Sequence, residues 1–170
     1  MKKEKTFLLA VLIPLFILLA MTVKPQATVL FGQEIVLETK AFDPTDLFRG
    51  DYVSVSFAIS DIPKSKVTLP SNKVSNQNLY VSLKKEGNYY VVDQVSENKP
   101  QQGVYLRGKF QDRYNQNGDE DHYSVDYNLD KYFLEQGSGK DLQQESRSGG
   151  LIGTVKVLGG YGVLTGISLR

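Results

Sequence analysis

The sequence holds no cysteine and no tryptophan, and its only histidine is His122. The missing cysteine removes disulfides, thiolate nucleophiles and thiolate metal centres together, and with them the lipid-modified cysteine of a bacterial lipoprotein. Stability has to come from burial alone. A single imidazole makes neither a catalytic triad nor a zinc site, because its remaining partners could only be carboxylates, a poor ligand set for that metal. An excess of one charge is missing as well: 20 basic side chains stand against 19 acidic ones. A near-neutral chain lacks the field that would make nucleic acid or an anionic lipid surface its main partner.

What is present begins with a short basic head, MKKEK, over residues 1–5, which leaves 17 basic and 18 acidic residues beyond it. From Thr6 to Val23 the run TFLLAVLIPLFILLAMTV carries no charge. As a helix it would rise about 27 Å, enough to cross a bilayer core. Pro14 is tolerated in such a helix when local adjustments satisfy the freed carbonyl. The run exceeds the roughly 7 to 15 apolar residues of a cleaved secretory signal, and its exit offers poor cleavage sites at Ala20 and Ala27. It is read as a retained anchor. Lys2, Lys3 and Lys5 precede the span and only Lys24 directly follows it, so the N-terminus is expected in the cytoplasm and everything from about Lys24 onward outside. The expected organisation is head 1–5, transmembrane anchor 6–23, linker 24–32 and one extracytoplasmic domain 33–170, ample for one hydrophobic core and too short for two.

Beyond the anchor, alternation with a period of two dominates. QEIVLETK (Gln33 to Lys40) reads as a strand with Ile35 and Leu37 on one side. DYVSVSFAIS reads as another, with Val53, Val55, Phe57 and Ile59 on the buried face. Asp61 to Asn78 is a polar connection. LYVSLKKEGNYYVVDQVS is two strands joined at Glu86-Gly87-Asn88, GVYLRGKFQDRY and DHYSVDYNL add two more, and the tail LIGTVKVL/GVLTGISL turns at Gly159-Gly160. One stretch suits a short helix, with Leu129, Tyr132 and Phe133 on one helical face and Gly137 stopping it. Seven or eight strands with one or two short helices predict an all-β or β-dominated outer domain, closed as a sandwich or half-open barrel.

The sequence offers several candidate sites. Arg49-Gly50-Asp51 resembles a cell-adhesion tripeptide, but it runs straight from a turn into a strand rather than capping a loop, so it reads as a charged turn. The oxygen-rich Asn115 to Asp121 suggests calcium, yet the spacing puts Arg113 and Ser124 where a helix-loop-helix calcium loop needs carboxylates. Asp51 with Glu135 could be nominated as a glycosidase pair, with nothing to fix their separation. No cofactor or metal is expected from these patterns.

The stretch DPTDLFRGDYVSVSF resembles the GDYXXLXY family of bacterial membrane-anchored proteins. Gly50, Asp51 and Tyr52 match the motif as they stand, while Val55 and Phe57 replace its Leu and final Tyr. LYVSLKKEGNYY, GVYLRGKF and YNLDKYFLEQGSGKDL are similar to later parts of the same family, so the resemblance covers most of residues 33–169. It implies an anchor, a β-rich outer domain and a multi-spanning membrane protein as companion, and no catalytic residue. DPTDLFRGDYV is also similar to a stretch of type I signal peptidases, and ESRSGG (Glu145 to Gly150) loosely resembles their late box. The position of the nucleophilic serine there holds Ala41, and the first basic residue where the general-base lysine should stand is Arg107, which stays protonated and cannot act as that base. A relative of that fold would therefore be inactive.

These features together predict a binding or accessory module for another membrane protein, with lipid contact through residues 6–23. The expected functional surface is Arg49, Gly50, Asp51 and Tyr52 with Tyr132, Phe133 and Glu135. The competing expectation is an enzyme or small-ligand binder with a cleft near Gly50.

Overall fold

The computed structural model describes residues 2–40, 52–70, 74, 76–112, 122–133 and 150–170. It opens on one long helix, α1 (Lys2–Phe31), whose stretch Phe7–Phe31 is long and apolar enough to cross a membrane. The helix does not stop at Val23. It continues through the 24–32 segment as far as Phe31, in spite of Pro25, and there it lies against the β-domain. Thr28 is fully buried and its hydroxyl donates to the Lys24 carbonyl at 2.9 Å. The Gly32 N–H closes the last turn on the Thr28 carbonyl at 2.8 Å. A Cβ on Gly32 would lie 2.3 Å from that carbonyl oxygen and 3.0 Å from the Val157 nitrogen, so only glycine lets helix pass into strand here.

Among the described residues ten strands follow: β1 (Gln33–Glu38), β2 (Tyr52–Ser54), β3 (Asp61–Pro63), β4 (Asn78–Glu86), β5 (Tyr89–Ser96), β6 (Val104–Asp112), β7 (His122–Asp126), β8 (Lys131–Phe133), β9 (Leu151–Leu158) and β10 (Tyr161–Leu169). They form a five-stranded sheet in the order β3-β7-β6-β4-β5, a three-stranded sheet β1-β9-β10 and a two-stranded ribbon β2-β8, with every strand pairing antiparallel. Strand β1 lies beside β5, and the β9-β10 turn meets β6, where the Arg107 N–H donates to the Gly160 carbonyl at 2.8 Å. The β-dominated, half-open barrel expected from the alternation is what forms.

The core is made by the inward residues of each alternating run. Ile35, Leu37, Val81, Leu106, Phe110 and Val155 are all but sealed from solvent, and Phe57, Ile59 and Val95 join them. Two elements differ from the alternation pattern. DYVSVSFAIS is not one strand: β2 ends at Ser54, Phe57 makes an isolated bridge with Thr39, and a 3₁₀ turn at Ala58–Ser60 leads into β3. The chain thus changes sheets while Val55, Phe57 and Ile59 stay buried.

Over the described residues 129–133 the expected short helix does not form, and its continuation to Gly137 lies outside the described residues. Asp126 accepts the Asn128 N–H at 2.7 Å, Asn128 takes a left-handed φ of 55°, and Lys131–Phe133 then extends as β8. The aromatic pair has a strand partner in β2, and pairing across the fold overrides a helical face only a few residues long.

Candidate functional site

The motif strand and the aromatic segment do come together. Tyr52 pairs with Phe133, Val53 with Tyr132 and Ser54 with Lys131, and the Val55 N–H extends the ladder to the Asp130 carbonyl at 2.9 Å. The Tyr132 hydroxyl reaches the Thr165 carbonyl at 3.4 Å, tying the ribbon to β10. Val55 and Phe57, the two positions where the motif carries apolar replacements, are both core residues. This half of the motif is structural, since a phenylalanine at position 57 brings no hydroxyl that would need a partner. Arg49, Gly50, Asp51 and Glu135 lie outside the described residues, as do Ala41, Asn115 to Asp121 and Glu145 to Ser148.

Where β2 ends, a cavity of about 300 Å³ opens between the ribbon and the β6-β7 edge. Val55, Phe57 and Leu129 supply its apolar wall, and Ser56, Ser60, Gln111, Ser124, Asp126 and Asp130 its polar one. Tyr127 also lines it but turns its hydroxyl inward, donating to the buried Ile59 carbonyl at 3.0 Å. Burial pushes that phenol's ionisation well above its ordinary range. Among the described residues its lining holds carboxylates but no lysine, arginine or histidine. Among the described residues no group of three histidine, aspartate or glutamate side chains could hold a metal ion. His122 sits half-buried opposite Pro63 at the β3-β7 edge.

A second groove of about 420 Å³ lies on the other side of Tyr127. Lys24, Arg107, Lys109, Asn78, Tyr80, Asp126, Asn128 and Tyr161 border it, together with the glycines of the β9-β10 turn. The register explains the clustering: Tyr80 faces Arg107, and Lys109 stands between Asn78 and Asp126 on one exposed sheet face. Lys24 arrives from α1, its ammonium 4.4 Å from the centre of the Tyr161 ring. Arg107 is thus a surface residue of this groove and does not line the cavity beside the motif strand. Sequence reasoning missed the cluster. The Arg107/Lys109 alternation was legible, but the arrival of Lys24 from the far end of the chain was not.

Beyond Lys24 the outer face of α1 is apolar and uncovered. Leu30 and Phe31 are 71% and 76% exposed, with Val29 and Leu158 partly so. Phe31 and Leu158 line one shallow depression with Tyr105 and Val157.

Nothing among the curated proteins or the solved structures matches this chain. The model of one family, described as GDYXXLXY protein, matches residues 14–167, taking in most of the apolar helix, the motif strand and the closing hairpin. The chain belongs to the GDYXXLXY protein family.

Proposed function

We propose that this protein is an inner-membrane accessory module: a single-pass anchor with its N-terminus inside, carrying an extracytoplasmic β-domain that binds a multi-spanning membrane protein rather than transforming a substrate. The carrying observation is the apolar collar of Val29, Leu30, Phe31 and Leu158, which stands where α1 meets the domain. From Lys5 to Lys24 the helix rises about 28 Å, close to the roughly 30 Å of a hydrocarbon core. Phe31 then stands about 10 Å beyond Lys24, above the roughly 5 to 8 Å of polar interface. Apolar side chains at that height are outside the lipid tails, and another membrane protein's outer surface is what would cover them. Tethering in one membrane raises the effective concentration of such a pair without any new contact. The ribbon edge bearing Arg49, Gly50, Asp51 and Tyr52 with Tyr132, Phe133 and Glu135 is the proposed second contact.

The test places a photoreactive residue at position 31, and a control at exposed Lys99, in the full-length protein in its native membranes. A cross-link to one integral membrane protein from position 31 alone is expected, and Leu30→Ser/Phe31→Ser should lose that protein on purification while keeping a normal thermal transition. Equal cross-linking from both positions, or none, sinks the reading. The cavity beside β2 favours a second reading, a small-ligand binder, since about 300 Å³ is the lower end of ligand-site volumes. That reading takes over if the collar variant keeps its partners while Asp126→Asn/Asp130→Asn abolishes stabilisation by a screened small molecule.

A further inference from the structure

Strand β7 and the β9-β10 turn both lie along the same edge of β6, and the second groove is the wedge they leave where they part. Three cations meet on it: Lys24 from the helix, and Arg107 and Lys109 two residues apart on the exposed face of β6. Among the described residues Asp126 is the only carboxylate on its border, and one of its oxygens already accepts the Asn128 N–H. Among the described residues neither the Arg107 guanidinium nor the Lys109 ammonium makes an ion pair. Three like charges around one groove repel, and an anion between them turns that repulsion into attraction.

We propose that this groove binds the phosphate of an anionic phospholipid headgroup. The guanidinium fork matches phosphate oxygens in pairs, ammonium groups add point charges, and the Asn78 and Asn128 amides can donate to the same oxygens. The phosphate chemistry rests on the groove alone. Its lipid source rests on the membrane placement proposed above, which sets Lys24 at the edge of the hydrocarbon core, so that the groove opens at the level of the headgroups. Tyr80 and Tyr161 on its rim are the amphipathic side chains that favour that depth. The domain's near-neutral total charge does not conflict with this. It weakens adsorption to a charged surface at large, whereas the groove concentrates its cations on one headgroup.

The full-length protein in neutral detergent micelles is titrated with phosphatidylglycerol, phosphatidylcholine or inorganic phosphate, reading retained lipid by native mass spectrometry and the unfolding midpoint. Phosphatidylglycerol is expected to be retained and to raise the midpoint, with phosphatidylcholine much weaker. Arg107→Gln/Lys109→Gln should bind it at least about tenfold more weakly, since even one charge-assisted hydrogen bond is worth about that much. Lys85→Gln/Lys99→Gln, an equal charge change away from the groove, should bind as the wild type does. Equal retention by the groove variant overturns the proposal. Full competition by inorganic phosphate overturns the lipid as its source. Flotation with vesicles reports the anchor separately: loss of flotation rejects the membrane placement, while intact flotation without a phosphatidylglycerol preference rejects the groove.

Discussion

At the scale of single residues, the buried tyrosine between the two cavities sets a pH limit on the fold. The Tyr127 hydroxyl is the donor that satisfies the buried Ile59 carbonyl. Tyr127→Phe should therefore cost about 1 to 3 kcal/mol, because a buried acceptor is left without its partner. The ionisation of the same phenol is displaced upward from its ordinary 10.0 by burial. Above that pH the unfolded chain releases this proton while the folded chain keeps it, so the folded state binds more protons and stability falls as pH rises. The contribution is fully present below pH 10 and lost progressively above it, by up to about 1.4 kcal/mol per pH unit from this one group. Denaturant midpoints across the alkaline range should thus fall less steeply in Tyr127→Phe, by about one proton's worth of slope. Equal slopes would mean that solvent reaches the phenol in the folded state. Gly153 is a second sensitive point, since a Cβ there would lie 2.5 Å from the Phe57 ring, itself only 1% exposed. The packed ring would have to shift, so Gly153→Ala should destabilise by about 1 to 3 kcal/mol through overpacking, and calorimetry on the full-length protein would measure it.

At the scale of elements, the joint between α1 and β1 decides whether the helix is a leash or a strut. Gly32→Ala forces a Cβ onto backbone atoms of both Thr28 and Val157, which cannot rotate away as a side chain would. Amide exchange at Ala27, Thr28 and Val157 should speed up by at least about tenfold in that variant, with β4 and β5 unaffected. Uniform acceleration would mean that the joint is not a separate unit. The strands flanking this joint were legible in the sequence because each buries one face. Ile35 and Leu37 alternate with polar residues, and β4-β5 and β9-β10 announce their turns at Gly87-Asn88 and Gly159-Gly160. What failed was the assignment of short segments. Leu129, Tyr132 and Phe133 fit a helical face as well as a strand, and β8 exists only because β2 lies beside it, a fact no local window contains. The candidate sites divide in the same way. The expected surface grouped Tyr52 with Phe133 without their strand pairing, and the cation groove depends on a register and a helix path that spacing along the chain does not encode.

For the molecule as a whole, α1 and the β-domain pack against each other. The last two turns of α1 cover β9 with Ala27 and Thr28, and Lys24 reaches over Tyr161. Cleavage after Ala27 would remove Lys24 and Ala27 from that cover, whereas cleavage after Ala20 would leave Lys24, Ala27 and Thr28 in place. Because the chain has no cysteine of its own, single substitutions report topology without background. Lys99→Cys should react with a membrane-impermeant maleimide in intact cells, while Lys3→Cys should react only after permeabilisation. If the helix is kept, the Lys3→Cys label appears on the same full-length polypeptide that carries the β-domain. A label on a short fragment would show cleavage, and reaction of Lys3→Cys in intact cells would invert the orientation. Cleavage would free Lys24, the collar and the cation groove from the bilayer surface on which their proposed roles depend, and inversion would set them at its cytoplasmic face.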